Sequence, residues 1–220
     1  MVTEASAADQ VAEVLLRIGA VELRPTQPFT FSSGMRSPIY TDNRLLCSAV
    51  AERRLVSSLL EAALTSQHIA VDVIAGAATA GIPHAAWLAE RMNLPMVYVR
   101  GSAKEHGRGK RVEGRITSGQ RAVMVEDMFS TGGSVIDAVR ALREDTGAVV
   151  THCLGICTYS MPRADRAFAE ADLTPVVLTD FATIVRVAAE HGYLAPDQQQ
   201  IVLDWQRDPA TWSERTGITQ

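Results

Sequence analysis

Arg121-Ala-Val-Met-Val-Glu126-Asp127-Met-Phe-Ser130-Thr131-Gly132-Gly133-Ser134-Val-Ile-Asp-Ala-Val139 reads as a strand, a turn and a helix in immediate succession. The apolar run ends in two adjacent carboxylates, and a loop of Ser, Thr and two Gly enters a helical pattern directly. The same alternation recurs on both sides. Apolar runs lie at Val71–Ala75, Met96–Val99, Ala122–Val125, Val149–Cys157 and Val176–Leu178, with helices predicted over about Ile82–Met92, Ser134–Glu144 and Arg163–Glu170. Strands alternating with helices predict βαβ units, and hence an α/β fold with a central, mainly parallel sheet flanked by helices. Right-handed crossovers then bring every strand-to-helix loop to one edge of the sheet, where such folds bind ligands.

Upstream, Val11, Val14, Leu15 and Ile18 share one face of a helix predicted over Asp9–Ile18. From Phe29 to Arg44, Gly34 separates two β-rich runs and predicts a hairpin or small hood, followed by a helix over Val50–Ser66. The segment from Asp180 to Trp205 reads as two further helices broken near Gly192 and Pro196. Residues 1–220 show no repeat, low-complexity tract or linker, so a single domain is expected.

Three loops carry chemistry. In the first, small residues let the backbone N–H groups of Ser130–Ser134 turn inward, the hydroxyls add donors, and the helix N-terminus adds partial positive charge, which together suit one phosphate. It is neither a Walker loop, since the lysine is missing, nor G-x-G-x-x-G. Glu126 and Asp127 beside it suit the hydroxyls of a sugar bearing that phosphate, as in ribose 5-phosphate. Neighbouring side chains on a strand point to opposite faces, so both acids reach one sugar only if the chain bends there. In the second loop, Gly76-Ala-Ala-Thr79-Ala-Gly81-Ile-Pro83-His84 permits close backbone approach to an anion such as pyrophosphate. The third, Arg100-Gly-Ser-Ala-Lys104-Glu-His106-Gly107-Arg108-Gly109-Lys110-Arg111-Val-Glu-Gly114, interleaves basic residues with four glycines between two strands and predicts a mobile lid over about residues 101–114.

Val125-Glu-Asp-Met-Phe-Ser-Thr-Gly-Gly-Ser134 resembles the 5-phosphoribosyl 1-diphosphate (PRPP) signature of the type I phosphoribosyltransferases, in which two acidic residues precede a Thr- and Gly-rich loop. Phe29–Arg44 resembles the hood of the orotate phosphoribosyltransferases, F-x-x-x-S-G-x-x-S-P-x-Y-x-D-x-R. Arg100, Lys104, His106 and Gly107 match their lid, and Gly76–His84 and Leu178–Phe181 are similar to a bacterial branch of that family. The resemblance spans nearly the whole chain.

It implies a phosphoribosyltransferase fold whose hood comprises residues 1–45 with parts of the C-terminal segment. It implies transfer from PRPP to orotate, giving orotidine 5′-monophosphate and pyrophosphate in pyrimidine biosynthesis, with Mg²⁺ on the diphosphate and no metal cage of the protein's own. Lys104, His106 and Asp127 would be catalytic. PRPP would be held by Arg100, Lys104, His106, Glu126, Asp127, Met128, Phe129, Ser130, Thr131, Gly132, Gly133 and Ser134, and orotate bordered by Tyr40 and Ser130. A homodimer, with the lid of one subunit reaching the site of the other, is also implied. Ser32, Ala80 and Gly101 stand where the better-studied branch has lysines and are left out of the site. Tyr159, Arg163 and Arg166 remain alternatives for reading the base.

Composition narrows the rivals. With 47% hydrophobic and 21% charged residues the chain can bury a core, and a formal net charge of −4 opposes a nucleic-acid-binding surface. Cys47, Cys153 and Cys157 have no zinc or disulfide pattern, and no stretch approaches the roughly 20 apolar residues of a membrane span. A cytoplasmic protein without nucleic-acid or membrane partners is expected. His68, His84, His152 and His191 are expected as surface or core residues, Cys153, Cys157, Trp87, Trp205 and Trp212 as packing, and Arg108, Lys110 and Arg111 as solubilising lid charges.

Overall fold

A computed structural model describes residues 5–31, 34–102 and 110–218. Helix α1 (Ala7–Arg17) starts where Ser6 accepts the Asp9 N–H at 3.1 Å and buries Val11, Val14 and Leu15, the stripe its periodicity predicts. Two small antiparallel ribbons follow: β1 (Val21–Leu23) with β4 (Ile39–Thr41), and β2 (Phe29–Thr30) with β3 (Arg36–Ser37), the latter pair closing around Gly34. A 3₁₀ turn over Asn43–Cys47 leads into α2 (Val50–Ser66), whose ends fall where the sequence places them.

The body then alternates β5 (Val73–Ala77), α3 (Gly81–Met92), β6 (Met96–Val99), β7 (Val112–Glu113), β8 (Arg121–Val125), β9 (Met128–Phe129), α4 (Gly133–Thr146), β10 (Val149–Thr158), α5 (Pro162–Glu170), β11 (Thr174–Asp180) and α6 (Phe181–Glu190). Sheet order is β11-β10-β8-β5-β6-β7, parallel throughout except for β7, while β9 adds to β10. Every residue of β5 is buried, as expected of a central parallel strand covered on both faces. From β5 the chain proceeds outward to β6, and from β8 it proceeds the opposite way to β10. The reversal opens a crevice between the carboxyl ends of β5 and β8, the position at which open α/β sheets bind ligands.

The C-terminal helices α7 (Gln199–Arg207) and α8 (Trp212–Thr216) pack against the N-terminal ribbons. Trp205 is fully buried and donates its indole N–H to the Arg36 carbonyl at 2.9 Å, and Gln206 donates to the Tyr159 carbonyl at 2.8 Å. The hairpin around Gly34 is thereby tied to the end of β10 from both sides.

Several elements depart from the sequence reading. Strands β1, β7 and β9 and helix α8 are too short to show a period, and they form because longer elements offer them partners. Gly76 sits inside β5, paired with Tyr98 and Val125, so the second loop begins at Ala78 rather than Gly76. Val112 and Glu113, within the expected lid, pair with Val99 and Tyr98 as an edge strand. Lys104, His106, Gly107 and Arg108 lie outside the described residues, as does Ser32.

Candidate active site

The acid pair stands where β8 leaves the sheet. The Glu126 N–H still donates to the Leu154 carbonyl at 2.9 Å, and the ladder then becomes irregular while the chain keeps its direction alongside β10. Asp127 N–H donates to Glu126 Oε1 at 3.1 Å and Met128 N–H donates to Asp127 Oδ1 at 2.8 Å, after which Met128–Phe129 rejoin β10 as β9. Both carboxylates are thus drawn onto the next backbone N–H at an irregularity of the strand, where strict alternation of side chains does not hold. The Asp127 carbonyl accepts twice, from the Ile156 N–H at 3.1 Å and from Asn43 Nδ2 at 2.9 Å.

Burial raises the affinity of both carboxyls for a proton, and the two negative charges oppose each other. Desolvation first, then the Asp127 charge, pushes Glu126 up to about 8 from its ordinary 4.5; Asp127 is also raised, chiefly by desolvation, against the pull of the Arg44 charge. Glu126 is thus protonated in the fold and ionised in the unfolded chain between about pH 4.5 and 8, so folding stability falls as pH rises through that window. His84, buried on α3, is pulled by desolvation from 6.5 down to about 4, which makes stability rise with pH over that lower range. The two cancel in part up to about pH 6.5, and from there to about 8 only the fall remains. The melting temperature of the ligand-free chain should therefore drop between pH 6.5 and 8, and Glu126→Gln should flatten that drop. A melting temperature that climbs over the same window would contradict the assignment.

Past β9, Gly132 takes φ +79° and starts α4 without a side-chain cap, leaving first-turn N–H groups facing the crevice mouth with no intrahelical acceptor. Ser130, Gly133 and Ser134 are exposed and Thr131 half-buried, as an accessible anion cradle requires. Met128 is half-buried, and the Phe129 ring turns away into the core against Phe168, 5.2 Å between centroids. The Phe129 carbonyl is occupied by Tyr159 N–H and Thr158 Oγ1. The side chain of Phe129, a residue expected to hold PRPP, thus packs beneath the loop.

The second loop meets this cradle from β5. A Cβ built on Gly81 would collide with the Val125 carbonyl oxygen and lie 3.0 Å from Glu126 Cα, so the start of α3 rests directly on the backbone that carries the acids.

The lid base and the hood close the remaining sides. Arg100 follows β6 directly and pairs with Glu113 at 3.8 Å. Arg111 is no mere solubilising charge: it donates Nε to the Arg100 carbonyl at 2.8 Å, pairs with Asp137 at 2.7 Å and donates its N–H to Asp145 at 2.7 Å. Residues 100 and 111, on either side of the basic, glycine-rich stretch, are thereby fastened to each other and to α4. From the hood, Arg44 pairs with Asp42 at 2.6 Å and its charge reaches Asp127. Tyr40 is 38% exposed and packs on Phe29.

Of the alternatives for reading a base, Tyr159 is a core residue, its hydroxyl bonded to Thr41 and its ring set edge-on to Trp205, whereas Arg163 and Arg166 are exposed. Cys153 and Cys157 are buried, and Trp205 and Trp212 fully so, while Trp87 lies under the Arg53 guanidinium. Sequence reasoning missed Asn43 and Arg111; their partners lie 84 residues away in the first case and on another element in the second. No group of three or more His, Cys, Asp or Glu side chains able to hold a metal is found among the described residues. The two carboxylates at the crevice are nevertheless hard oxygen donors of the kind Mg²⁺ accepts alongside substrate phosphates and water.

Residues 51–188 match the phosphoribosyl transferase domain. An orotate phosphoribosyltransferase of Streptococcus agalactiae is 46% identical over 205 residues, covering 93% of this chain and 98% of its own. That of Coxiella burnetii is 43% identical over 205 residues, with the same coverage of 93% and 98%. The crystal structure of orotate phosphoribosyltransferase from Aeropyrum pernix superposes with a TM-score of 0.72 at 31% identity, over 84% of this chain and 99% of that one. The hood, Phe29–Arg44, lies outside the matched domain and inside the span that these relatives cover almost end to end.

Proposed function

The chain belongs to the orotate phosphoribosyltransferase family, and from that premise we propose how its crevice transfers the ribose 5-phosphate of PRPP to orotate, releasing pyrophosphate and forming orotidine 5′-monophosphate for pyrimidine biosynthesis. The observation that carries this reading is the convergence of three elements on one strand end. The start of α3 touches the backbone at Glu126, the hood's Asn43 holds the Asp127 carbonyl, and the cradle opening α4 follows directly.

Displacement at the anomeric carbon passes through an oxocarbenium-like state. Catalysis therefore has to steady the sugar, offset positive charge on its ring and neutralise the departing diphosphate; no covalent nucleophile is needed. Glu126 and Asp127 accept hydrogen bonds from the ribose hydroxyls, and the Asp127 carboxylate places negative charge beneath the ring. Ser130, Thr131, Gly132, Gly133 and Ser134 wrap the 5-phosphate, with Met128 at the turn. The loop from Ala78 to Gly81 offers its backbone to the diphosphate. Arg100, Lys104 and His106 close over the leaving group, and Tyr40 and Ser130 border orotate. Glu126 and Asp127 would be the chain's oxygen donors to a Mg²⁺ held mainly by substrate oxygens, and the ion would supply further charge neutralisation. A homodimer in which the lid of one subunit serves the site of the other, and a cytoplasmic location, complete the proposal; no helix among the described residues is long and apolar enough to cross a membrane.

Loss of orotate absorbance on mixing the protein with orotate, PRPP and Mg²⁺ tests the reading. Wild type should deplete the band, and Lys104→Ala should slow it by about 10²–10³-fold, the usual cost of removing one group that stabilises developing charge. An unchanged band with PRPP still bound in a separate titration would remove orotate as the acceptor.

A further inference from the structure

Asn43 is fully buried, 84 residues from Asp127 along the chain, and yet directly bonded to it. Its Nδ2 donates to the Asp127 carbonyl at 2.9 Å and to Cys157 Sγ at 3.4 Å, while its Oδ1 has no partner among the described residues. An unsatisfied buried acceptor is costly, so an apolar residue would be the better filling if packing were the only demand. The amide is accounted for by its donors. They reach the peptide at which β8 has left the ladder and β9 has not yet rejoined it, where the sheet alone supplies one hydrogen bond, from Ile156. The base of the donor is firm as well: Asp42 accepts the Arg44 N–H at 3.2 Å to start the 3₁₀ turn, and Thr41 is bonded by Tyr159 at 3.1 Å.

We propose that Asn43 is a positioning residue: by holding the Asp127 carbonyl it sets the bend that presents both carboxylates to the ribose, and it makes the hood part of the PRPP subsite. The proposal rests on the reading that Glu126 and Asp127 hold the ribose. Asn43 touches no substrate. Without Asn43 the carbonyl keeps only the Ile156 N–H, so the 127–128 peptide is held from one side alone, and the Asp127 carboxylate, tied to the Met128 N–H, shifts with it. The phosphate cradle begins three residues later and shares no hydrogen bond with Asn43 among the described residues, so the two subsites should separate experimentally.

The test compares Asn43→Leu, close in size, uncharged and with no donor, and Asn43→Ser, smaller and with one hydroxyl donor, against wild type and Asp127→Asn. Titrations use PRPP and, as a probe of the cradle alone, inorganic phosphate. Asn43→Leu should weaken PRPP at least 30-fold and leave phosphate within about threefold, Asn43→Ser should fall between it and wild type, and combining Asn43→Leu with Asp127→Asn should add little to Asp127→Asn alone. Should Asn43→Leu fail to fold, Asn43→Ser decides, with a PRPP loss of at least fivefold expected at unchanged phosphate affinity. Equal losses for PRPP and phosphate would mean that Asn43 only supports the fold, and PRPP affinity within threefold of wild type would overturn the proposal. If Asp127→Asn itself leaves PRPP affinity intact, the ribose-binding reading fails instead.

Discussion

Gly81→Ala is expected to lower kcat/KM by about 10²-fold or more and to destabilise the protein by about 3 kcal/mol, although it adds one methyl group and changes no charge. The new Cβ would meet the Val125 carbonyl oxygen and lie 3.0 Å from Glu126 Cα and 3.1 Å from the Val125 carbonyl carbon. Those atoms are backbone of the central strand, locked between β5 and β10, and cannot rotate aside as a side chain would. Relief therefore requires α3 to lift away from β8. The lift moves the loop at 78–81 and the acid pair apart by something on the order of 1 Å, a displacement that costs catalysis far more than folding. Steady-state kinetics beside urea unfolding would check this. An Ala variant with kcat/KM within threefold of wild type would show that the approach of α3 to Glu126 is not needed for the reaction.

Asp127→Asn should move activity and stability in opposite directions. The amide keeps an oxygen for the Met128 N–H and presents an NH₂ where the ribose hydroxyls need an acceptor, and it removes negative charge from beneath a ring that becomes cationic. A fall in kcat of about 10²–10³-fold, or about 3–4 kcal/mol of barrier, is expected. In the ligand-free protein the same change removes the charge that helps to hold Glu126 in its protonated form, so the Glu126 proton should come off at lower pH. The penalty of carrying two buried acids above neutral pH then shrinks. The melting temperature at pH 8 should rise by about 2 °C or more, at about 2–4 °C for each kcal/mol in a chain of this size. A variant that lost activity and melted lower at pH 8 would mean that Asp127 is held by favourable contacts, not kept at a cost for function.

The loops of this site were legible because each is a local pattern. An apolar run, two acids and a small-residue turn before a helix occupy consecutive positions from Arg121 to Val139, and the helix over Val50–Ser66 shows its limits through periodicity alone. The stretch from Arg100 onward shows in the sequence only its composition, basic and glycine-rich between strands, and residues 103–109 of it lie outside the described residues. Side-chain direction was not legible. Phe129 lies within the signature loop yet turns into the core, because β9 rejoins β10 there and presents the ring to Phe168. Arg111 has the composition of a solvated lid charge and becomes the fastener of the lid base only because α4 packs beside β7 and offers Asp137 and Asp145.

By itself, then, the sequence determined the order of the main strands and helices and the place of the small-residue loop and the two acids at a strand end, since hydrophobic period, turn residues and neighbouring charges are properties of adjacent positions. Only the tertiary structure decided what surrounds those acids: Gly81 pressed on the backbone of Glu126, and Asn43 bonded to the Asp127 carbonyl across 84 residues of chain. Such pairings depend on which strands become neighbours in the sheet and on where the chain reverses between β5 and β8, and no window of sequence contains both partners.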